Sequence, residues 1–135
     1  MREILFRGKR VDNGEWIYGF YIENETFDGK RIPQILSEYI AEKAVIPETV
    51  GQYTGIKDKN GTMIFENDIL SAHPDELFPD DEIRLVVEWH DYGWFGKDSK
   101  GKYTSLESKW VSELFEVIGN KFDNPELLEV KNDKI

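Results

Sequence analysis

Apolar residues recur along this chain in short runs, and small or polar turn residues separate the runs. The first two runs, EILFR and WIYGFYI, flank Asn13 and Gly14. Both turn residues tolerate a positive φ, as a two-residue hairpin loop requires. We therefore predict paired antiparallel strands over residues 3–11 and 15–23. Gly19, within the second strand, indicates a bulge or a close backbone contact.

The next segment carries weaker strand signals. Asp28 and Gly29 mark a second turn, and Pro33 makes the strand after it an edge strand or an irregular one. One helical turn over residues 38–43 is expected to follow. Pro47 stops any longer helix there.

The stretch GIKDKNGTMIFENDIL contains a further hairpin. We predict strands at residues 50–54 and 62–65, with a tight turn at Asn60 and Gly61 between them. Asp68 precedes the next strand, where its carboxylate can accept hydrogen bonds from nearby backbone N–H groups. We interpret all three turn residues as structural.

The second half of the chain holds the strongest strand pattern, IRLVVEW at residues 83–89, which is short, apolar and β-branched. A glycine-containing hairpin follows it. Residues 110–118 fit either a strand pair or one short helix. Pro125 can begin a helical turn that ends at Leu128.

Many short strands separated by Gly, Asn and Asp turns favour a mainly β fold, α+β at most. The predicted architecture is a twisted antiparallel sheet or a small SH3-like barrel with little helix. The length of 135 residues suits one domain, which we place at residues 1–130, with a frayed tail at 131–135. A break in the strand pattern also allows two lobes, 1–50 and 51–130.

The charge balance limits the partners. The chain has 17 basic and 27 acidic residues, a formal net charge of −10. Such a field repels phosphate backbones, so nucleic-acid binding is disfavoured without being excluded. An acidic loop could dock on a basic host protein, although a solvated loop is the favoured interpretation; its acids are Asp75, Glu76, Asp80, Asp81 and Glu82.

Composition also bears on compartment and chemistry. The sequence has no cysteine, no N-terminal apolar leader segment and no apolar run of membrane-spanning length, so we expect a cytoplasmic protein without membrane contact. His73 and His90 have no second histidine nearby, and no nucleophile elbow or phosphate-binding glycine pattern occurs. We therefore expect no catalytic residues, no metal site, no cofactor and no enzymatic activity.

The sharpest functional candidate is the aromatic stretch WHDYGWF with the lysines that follow it. If Trp89 faces the core, strand alternation turns His90, Tyr92 and Trp94 outward. Exposed rings beside cations could stack unpaired bases, although rings that fill the core or an oligomer interface are the favoured alternative. The candidate binding surface is Tyr92, Trp94, Lys97, Lys100 and Lys102.

Three segments, in this order, resemble the YopX family of bacteriophage and prophage proteins: FRGKRVDNGEWIYGFYI, VIPETVGQYTGIKDKNGTMIFENDIL and VIGNKFDNPELL. The family pattern more often has glycine where this chain has Asn67, but asparagine also tolerates left-handed backbone. The resemblance implies a β-rich phage protein of Gram-positive hosts, made inside the bacterial cell. It transfers no biochemical activity.

Together these patterns predict a non-enzymatic accessory protein. The leading interpretation is a binding or interaction module for an unidentified host or phage protein, with self-association as an option. The alternative is a small β-barrel that binds single-stranded nucleic acid through the aromatic hairpin.

Overall fold

The computed structural model describes residues 4–38, 40–73 and 81–129. Strands hold 51% of these residues and helices 12%, so the predicted mainly β fold with little helix is confirmed. The strands form two antiparallel sheets, and neither closes into a barrel within the described residues. Of the two predicted architectures, the open sheet is correct. The chain divides into two compact units, residues 1–55 and 56–135.

The six-stranded sheet has the order β4-β3-β2-β1-β5-β6, and the five-stranded sheet has the order β10-β9-β8-β7-β11. In chain order the described strands are β1 Phe6–Lys9, β2 Trp16–Glu25, β3 Arg31–Leu36, β4 Lys43–Ala44, β5 Gly51–Lys57, β6 Met63–Phe65, β7 Asp68–Ala72, β8 Ile83–His90, β9 Gly93–Lys97, β10 Tyr103–Ser105 and β11 Glu116–Asn120. The helix α1 spans Ser108–Leu114, and short 3₁₀ segments span Pro47–Thr49 and Pro125–Leu128.

In the first unit, β1 and β2 pair as the predicted antiparallel hairpin. The predicted two-residue loop is wrong, because the Arg10 N–H donates to the Glu15 carbonyl at 2.9 Å and closes a four-residue loop. Only Gly14 in this loop has a positive φ, 73°. The Asn13 side-chain oxygen accepts the Glu15 N–H at 2.9 Å and holds the wider loop.

The core of the first unit is built from Ile17, Ile35 and Val45. Gly19 makes the predicted close contact: a Cβ there would lie 2.0 Å from the Leu36 carbonyl oxygen. The helical turn predicted for residues 38–43 is absent from the described part of that segment. The chain instead pairs β4 with β3, which satisfies its backbone in the sheet.

The second unit has its own apolar core, to which β7, β8 and α1 contribute. The predicted strand at residues 83–89 is confirmed as β8, and the helical turn predicted at Pro125 is confirmed as a 3₁₀ segment. Residues 110–118 hold the end of α1 followed by the start of β11. The predicted tail at 131–135 and most of the acidic loop, residues 74–80, lie outside the described residues.

Candidate ligand groove on the five-stranded sheet

The two faces of the five-stranded sheet have different environments. Side chains alternate between faces along a strand. On β8, Leu85 and Val87 point to the core, where they are 2% and 0% exposed and lie in one cluster with Phe115. Val86 and Glu88 therefore point to the opposite face, which we call the outer face.

The strand register defines which residues share the outer face. Val86 pairs with Lys97 on β9, and Lys97 pairs with Tyr103 on β10. Two residues further along β8, Glu88 pairs with Phe95. Because directly paired residues of antiparallel strands lie on the same side of the sheet, these five side chains share the outer face.

Three rings cluster at one end of the outer face. The rings of His90 and Tyr103 stack with centroids 4.7 Å apart, and Phe95 packs edge-on against both. The Tyr103 hydroxyl donates to Glu88 Oε1 at 3.1 Å, and the Lys97 ammonium lies 5.8 Å from the centre of the Tyr103 ring. The rings, the carboxylate and the ammonium thus hold one another in place.

The C-terminal segment forms one wall beside the outer face. Arg84 Nη1 donates to the Leu127 carbonyl at 2.9 Å, and Arg84 Nε donates to Glu82 Oε2 at 2.7 Å. The Ser71 hydroxyl also donates to Glu82 Oε2, at 2.5 Å. Arg84 therefore ties the Pro125–Leu128 segment to β8.

The wall, the sheet and the β9–β10 loop enclose a groove of about 690 Å³, a volume in the usual range for ligand sites. We call this the groove. Its apolar surface comes from Ile83, Val86, Leu127 and Leu128. Its charged lining residues are Glu82, Arg84, Glu88, Lys97, Asp98, Lys100, Lys121 and Glu129.

Most carboxylates in the groove make hydrogen bonds within the protein. Glu82 and Glu88 accept the side-chain hydrogen bonds given above, and Asp98 Oδ1 accepts the N–H groups of Lys100 and Lys102 at 2.9 Å each. The backbone hydrogen bond from Lys102 is the main cause that lowers the pKa of Asp98 below its ordinary value. Three of the four carboxylates are thus held by internal contacts.

The lysines in the groove lack charged partners at ion-pair distance among the described residues. Within the described part of the chain, no carboxylate lies within ion-pair distance of Lys97, Lys100 or Lys121. The groove therefore has three ammonium groups without an ion pair beside an apolar surface, and those of Lys97 and Lys121 lie near the rings of Tyr103 and Phe122.

The structure divides the candidate binding surface predicted from sequence. Lys97 and Lys100 line the groove, and Lys102 follows in the same loop. Tyr92 lies at the far end of β9, in the β8–β9 turn, and is 95% exposed.

Trp94 does not face outward, which corrects the alternation expected from sequence. The turn at residues 91 and 92 reverses the chain, so Trp94 pairs with Trp89 and both lie on the core-facing side. Trp94 packs against the core cluster, whereas Trp89 remains 50% exposed. The five predicted residues therefore do not form one continuous surface.

The predicted structural turn lies at a junction in the second unit. Asn60 and Gly61 sit in a loop closed by the Asp58 N–H, which donates to the Thr62 carbonyl at 2.8 Å. Asp58 is 4% exposed; its Oδ1 accepts the N–H groups of Asn60 and Thr62, and its Oδ2 accepts the Val117 N–H at 2.8 Å. One carboxylate thus holds the loop and ties it to β11.

Asp68 lies at the next turn and is 2% exposed, with Oδ2 accepting the Phe65 N–H at 2.8 Å. Its neighbour Asn67 has a φ of 76°, the left-handed conformation for which asparagine was expected to be suitable. The Asn67 N–H donates to the Val87 carbonyl, and its carbonyl accepts the Lys121 N–H. This turn connects β6 and β7 and contacts β8.

The described residues offer neither a metal-binding cluster nor a membrane-spanning helix. Across residues 4–38, 40–73 and 81–129, no group of three or more His, Asp or Glu side chains is arranged to hold a metal ion. None of the helices in the same ranges has the length and apolar character needed to cross a membrane.

Sequence reasoning missed His90, Phe95 and Tyr103 as one cluster, and it missed the Val117 contact of Asp58. The ring cluster could have been found by fixing Leu85 and Val87 as core positions and pairing β8 with β9 through a turn at residues 91 and 92. The tie from Asp58 to β11 has no local sequence signal, because its two ends are 59 positions apart.

Comparisons with known proteins give a family match and solved structures of similar fold. The family described as YopX protein matches residues 5–129. Protein EF1440 from Enterococcus faecalis is similar in structure, with a TM-score of 0.66 at 21% identity, covering 96% of this chain and 100% of that one. Protein yopX from Bacillus subtilis gives a TM-score of 0.57 at 18% identity, covering 98% and 100%. At these identities the two structures show a shared fold.

No curated protein sequence shows significant similarity to the chain. The family match nevertheless extends over both units and includes β1 to β11. The chain belongs to the YopX family.

Proposed function

We propose that this YopX-family chain is a phage or prophage accessory protein of the bacterial cytoplasm that acts as a non-enzymatic interaction module. Its ligand site is the groove, and its ligand is a short acidic segment of a host or phage protein. The proposal rests on the difference between the carboxylates and the lysines of the groove in their contacts within the protein. Three carboxylates accept internal hydrogen bonds, while among the described residues no carboxylate lies within ion-pair distance of the three lysines.

The same contacts support a role without catalysis. A carboxylate that acts in acid–base or nucleophilic chemistry must reach a substrate. Glu82 is held by Arg84 and Ser71, Glu88 accepts from Tyr103, and Asp98 organises its own loop. These groups stabilise the walls of the groove, and the apolar surface between them suits the side chains of a bound protein segment.

A photocrosslinking experiment tests the proposal. p-Benzoylphenylalanine is placed at Ser99, which lines the groove, and in a matched variant at Ser108, an exposed serine on α1 outside it. After irradiation in the bacterial host, we expect a protease-sensitive adduct at position 99 and none at position 108. Equal adducts at both positions, or no adduct at position 99, would contradict the proposal.

Single-stranded nucleic acid is the second candidate ligand. The observation in its favour is that Lys97, one of the groove lysines, lies 5.8 Å from the centre of the Tyr103 ring, which stacks on His90. A cation beside stacked rings is a combination found where bases stack. One observation weighs against it: the stacking of His90 on Tyr103 already covers one face of each ring.

Fluorescence anisotropy with a labelled single-stranded DNA or RNA separates the two candidates. The second candidate requires binding at low salt that weakens steeply as salt rises. It also requires weaker binding by Lys97→Ala and Lys121→Ala but not by Lys109→Ala, the matched exposed lysine on α1. Absence of binding at low salt removes this candidate and leaves the protein segment.

A further inference from the structure

The β8–β9 turn has an unusual backbone for its residues. Asp91 and Tyr92 have φ values of 50° and 63°, so two consecutive non-glycine residues adopt the left-handed conformation. A two-residue turn with both φ values positive favours Asn or Gly, because a Cβ is strained there. A tyrosine at the second position is a costly choice.

The register of the sheet explains why the turn falls on these two residues. His90 pairs with Gly93, and Trp89 pairs with Trp94. A shift by one residue would bring Gly93 into the turn, but it would also move every β9 side chain to the other face. Trp94 would then leave the core, and Gly96, which fits closely over Leu85, would no longer face it. Core packing therefore fixes residue 92 in the strained position.

Core packing does not explain why residue 92 is tyrosine. The Tyr92 side chain is 95% exposed, so glycine or asparagine would relieve the strain with almost no loss of buried surface. Beside it, Trp89 is 50% exposed and is held by edge-on contact with Trp94 at 4.9 Å between ring centres. This end of the hairpin thus leaves Tyr92 almost fully exposed and Trp89 half exposed, and the core fixes the strands that carry them.

We propose that this hairpin tip, defined as Trp89, Asp91 and Tyr92, is a docking surface for a protein with an apolar pocket bordered by Lys or Arg side chains. Exposed Trp and Tyr are the residue types that most often anchor protein interfaces. The Asp91 side chain is 81% exposed, and residues 89–94 contain this one carboxylate and no Lys or Arg. The charge at the tip therefore complements a basic border.

The charges also argue against two other ligands of the tip, nucleic acid and a second copy of this chain. A phosphate backbone would meet Asp91, and residues 89–94 offer it no Lys or Arg. A second copy of this chain brings another net charge of −10 to the contact. The tip is separate from the groove, so the inference does not depend on the ligand proposed for the groove.

Photocrosslinking tests the proposal by comparing the β8–β9 turn with a second hairpin turn that serves as the control. p-Benzoylphenylalanine replaces Tyr92, or replaces Phe27, a fully exposed aromatic residue in the hairpin turn between β2 and β3. Irradiation in the bacterial host should give a protein adduct at position 92 and none at position 27. The captured protein is then purified, and its affinity for variants of the full chain is measured by calorimetry.

We expect Tyr92→Gly to weaken that affinity by about tenfold or more and Tyr92→Phe to weaken it less than about threefold. Phe27→Ala should leave it unchanged. The same Tyr92→Gly variant should unfold at a higher temperature, by about 3 °C, because glycine removes the strain. A purely structural tyrosine would give the opposite shift in Tm.

Several results would overturn the inference. They are a lower Tm for Tyr92→Gly, unchanged affinity of that variant, and the absence of an adduct at position 92. An adduct that proves to be nucleic acid, or a second copy of this chain, would also overturn it.

Discussion

Replacing Asp58 by alanine should destabilise the protein strongly, although position 58 lies in a loop. The side chain is 4% exposed and accepts three backbone N–H groups, from Asn60, Thr62 and Val117, at 2.8–2.9 Å. A hydrogen bond to a charged group contributes about 1.5–3 kcal/mol. Once the carboxylate is removed, however, the N–H groups of Asn60 and Thr62 can form hydrogen bonds with water instead. We therefore expect the free energy of unfolding to fall by about 3 kcal/mol.

That loss corresponds to a decrease in Tm of about 10 °C for a chain of 135 residues. Urea denaturation followed by tryptophan fluorescence measures the free energy directly. Asp58→Asn should give an intermediate loss, because it keeps an acceptor for the turn but places an amide group where Oδ2 accepts the Val117 N–H.

Asp98 provides the matched control. It accepts the N–H groups of Lys100 and Lys102 with the same turn geometry, at 2.9 Å each, but among the described residues no third donor reaches it from another strand. Asp98→Ala should therefore shift the urea midpoint far less than Asp58→Ala. Equal shifts for the two variants, or a loss below about 1 kcal/mol at Asp58, would refute the argument that the β11 contact makes the difference.

Three further predictions concern the second unit. Asn67→Val should lower the free energy of unfolding by about 1–2 kcal/mol because valine is strained at positive φ, whereas Asn67→Gly should change it much less, as urea midpoints would show. Gly96→Ala should cost about 1–3 kcal/mol in the same assay, because its Cβ would lie 2.7 Å from Leu85 Cδ1; an unchanged midpoint would count against the packing described. Burial raises the pKa of Glu82, but the hydrogen bonds from Arg84 and Ser71 outweigh burial and hold the pKa below its ordinary value of 4.5. The stabilisation by Glu82 is therefore complete above pH 4.5 and is lost as pH falls below it, so Glu82→Gln should flatten the acid side of the stability profile.

Local turn chemistry made much of the fold predictable. Gly19 indicated a close backbone contact, and the structure places it against Leu36. The apolar run of β8 identified a strand without help from the rest of the chain. The prediction of a helical turn at residues 38–43 was wrong, because the pairing of β4 with β3 outweighs a weak local helix preference.

The candidate groove was harder to predict because it depends on the register. A change of one residue in the β8–β9 turn exchanges the two faces of β9, and the sequence favours a turn that contains Gly93. Only the packing of Trp94 and Gly96 against the core selects the observed turn. The alternation expected from sequence therefore placed Trp94 on the wrong face, while the contact of Lys121 with the groove has no local signal at all.

The central claim is that a protein ligand occupies the groove, and one measurement tests it most directly. The yield of the adduct at position 99 is compared between the otherwise unchanged chain and a Val86→Trp variant, whose larger side chain fills the groove from the outer face. We expect the protease-sensitive adduct to disappear while the urea midpoint stays nearly constant. An undiminished adduct in a folded Val86→Trp protein would contradict it.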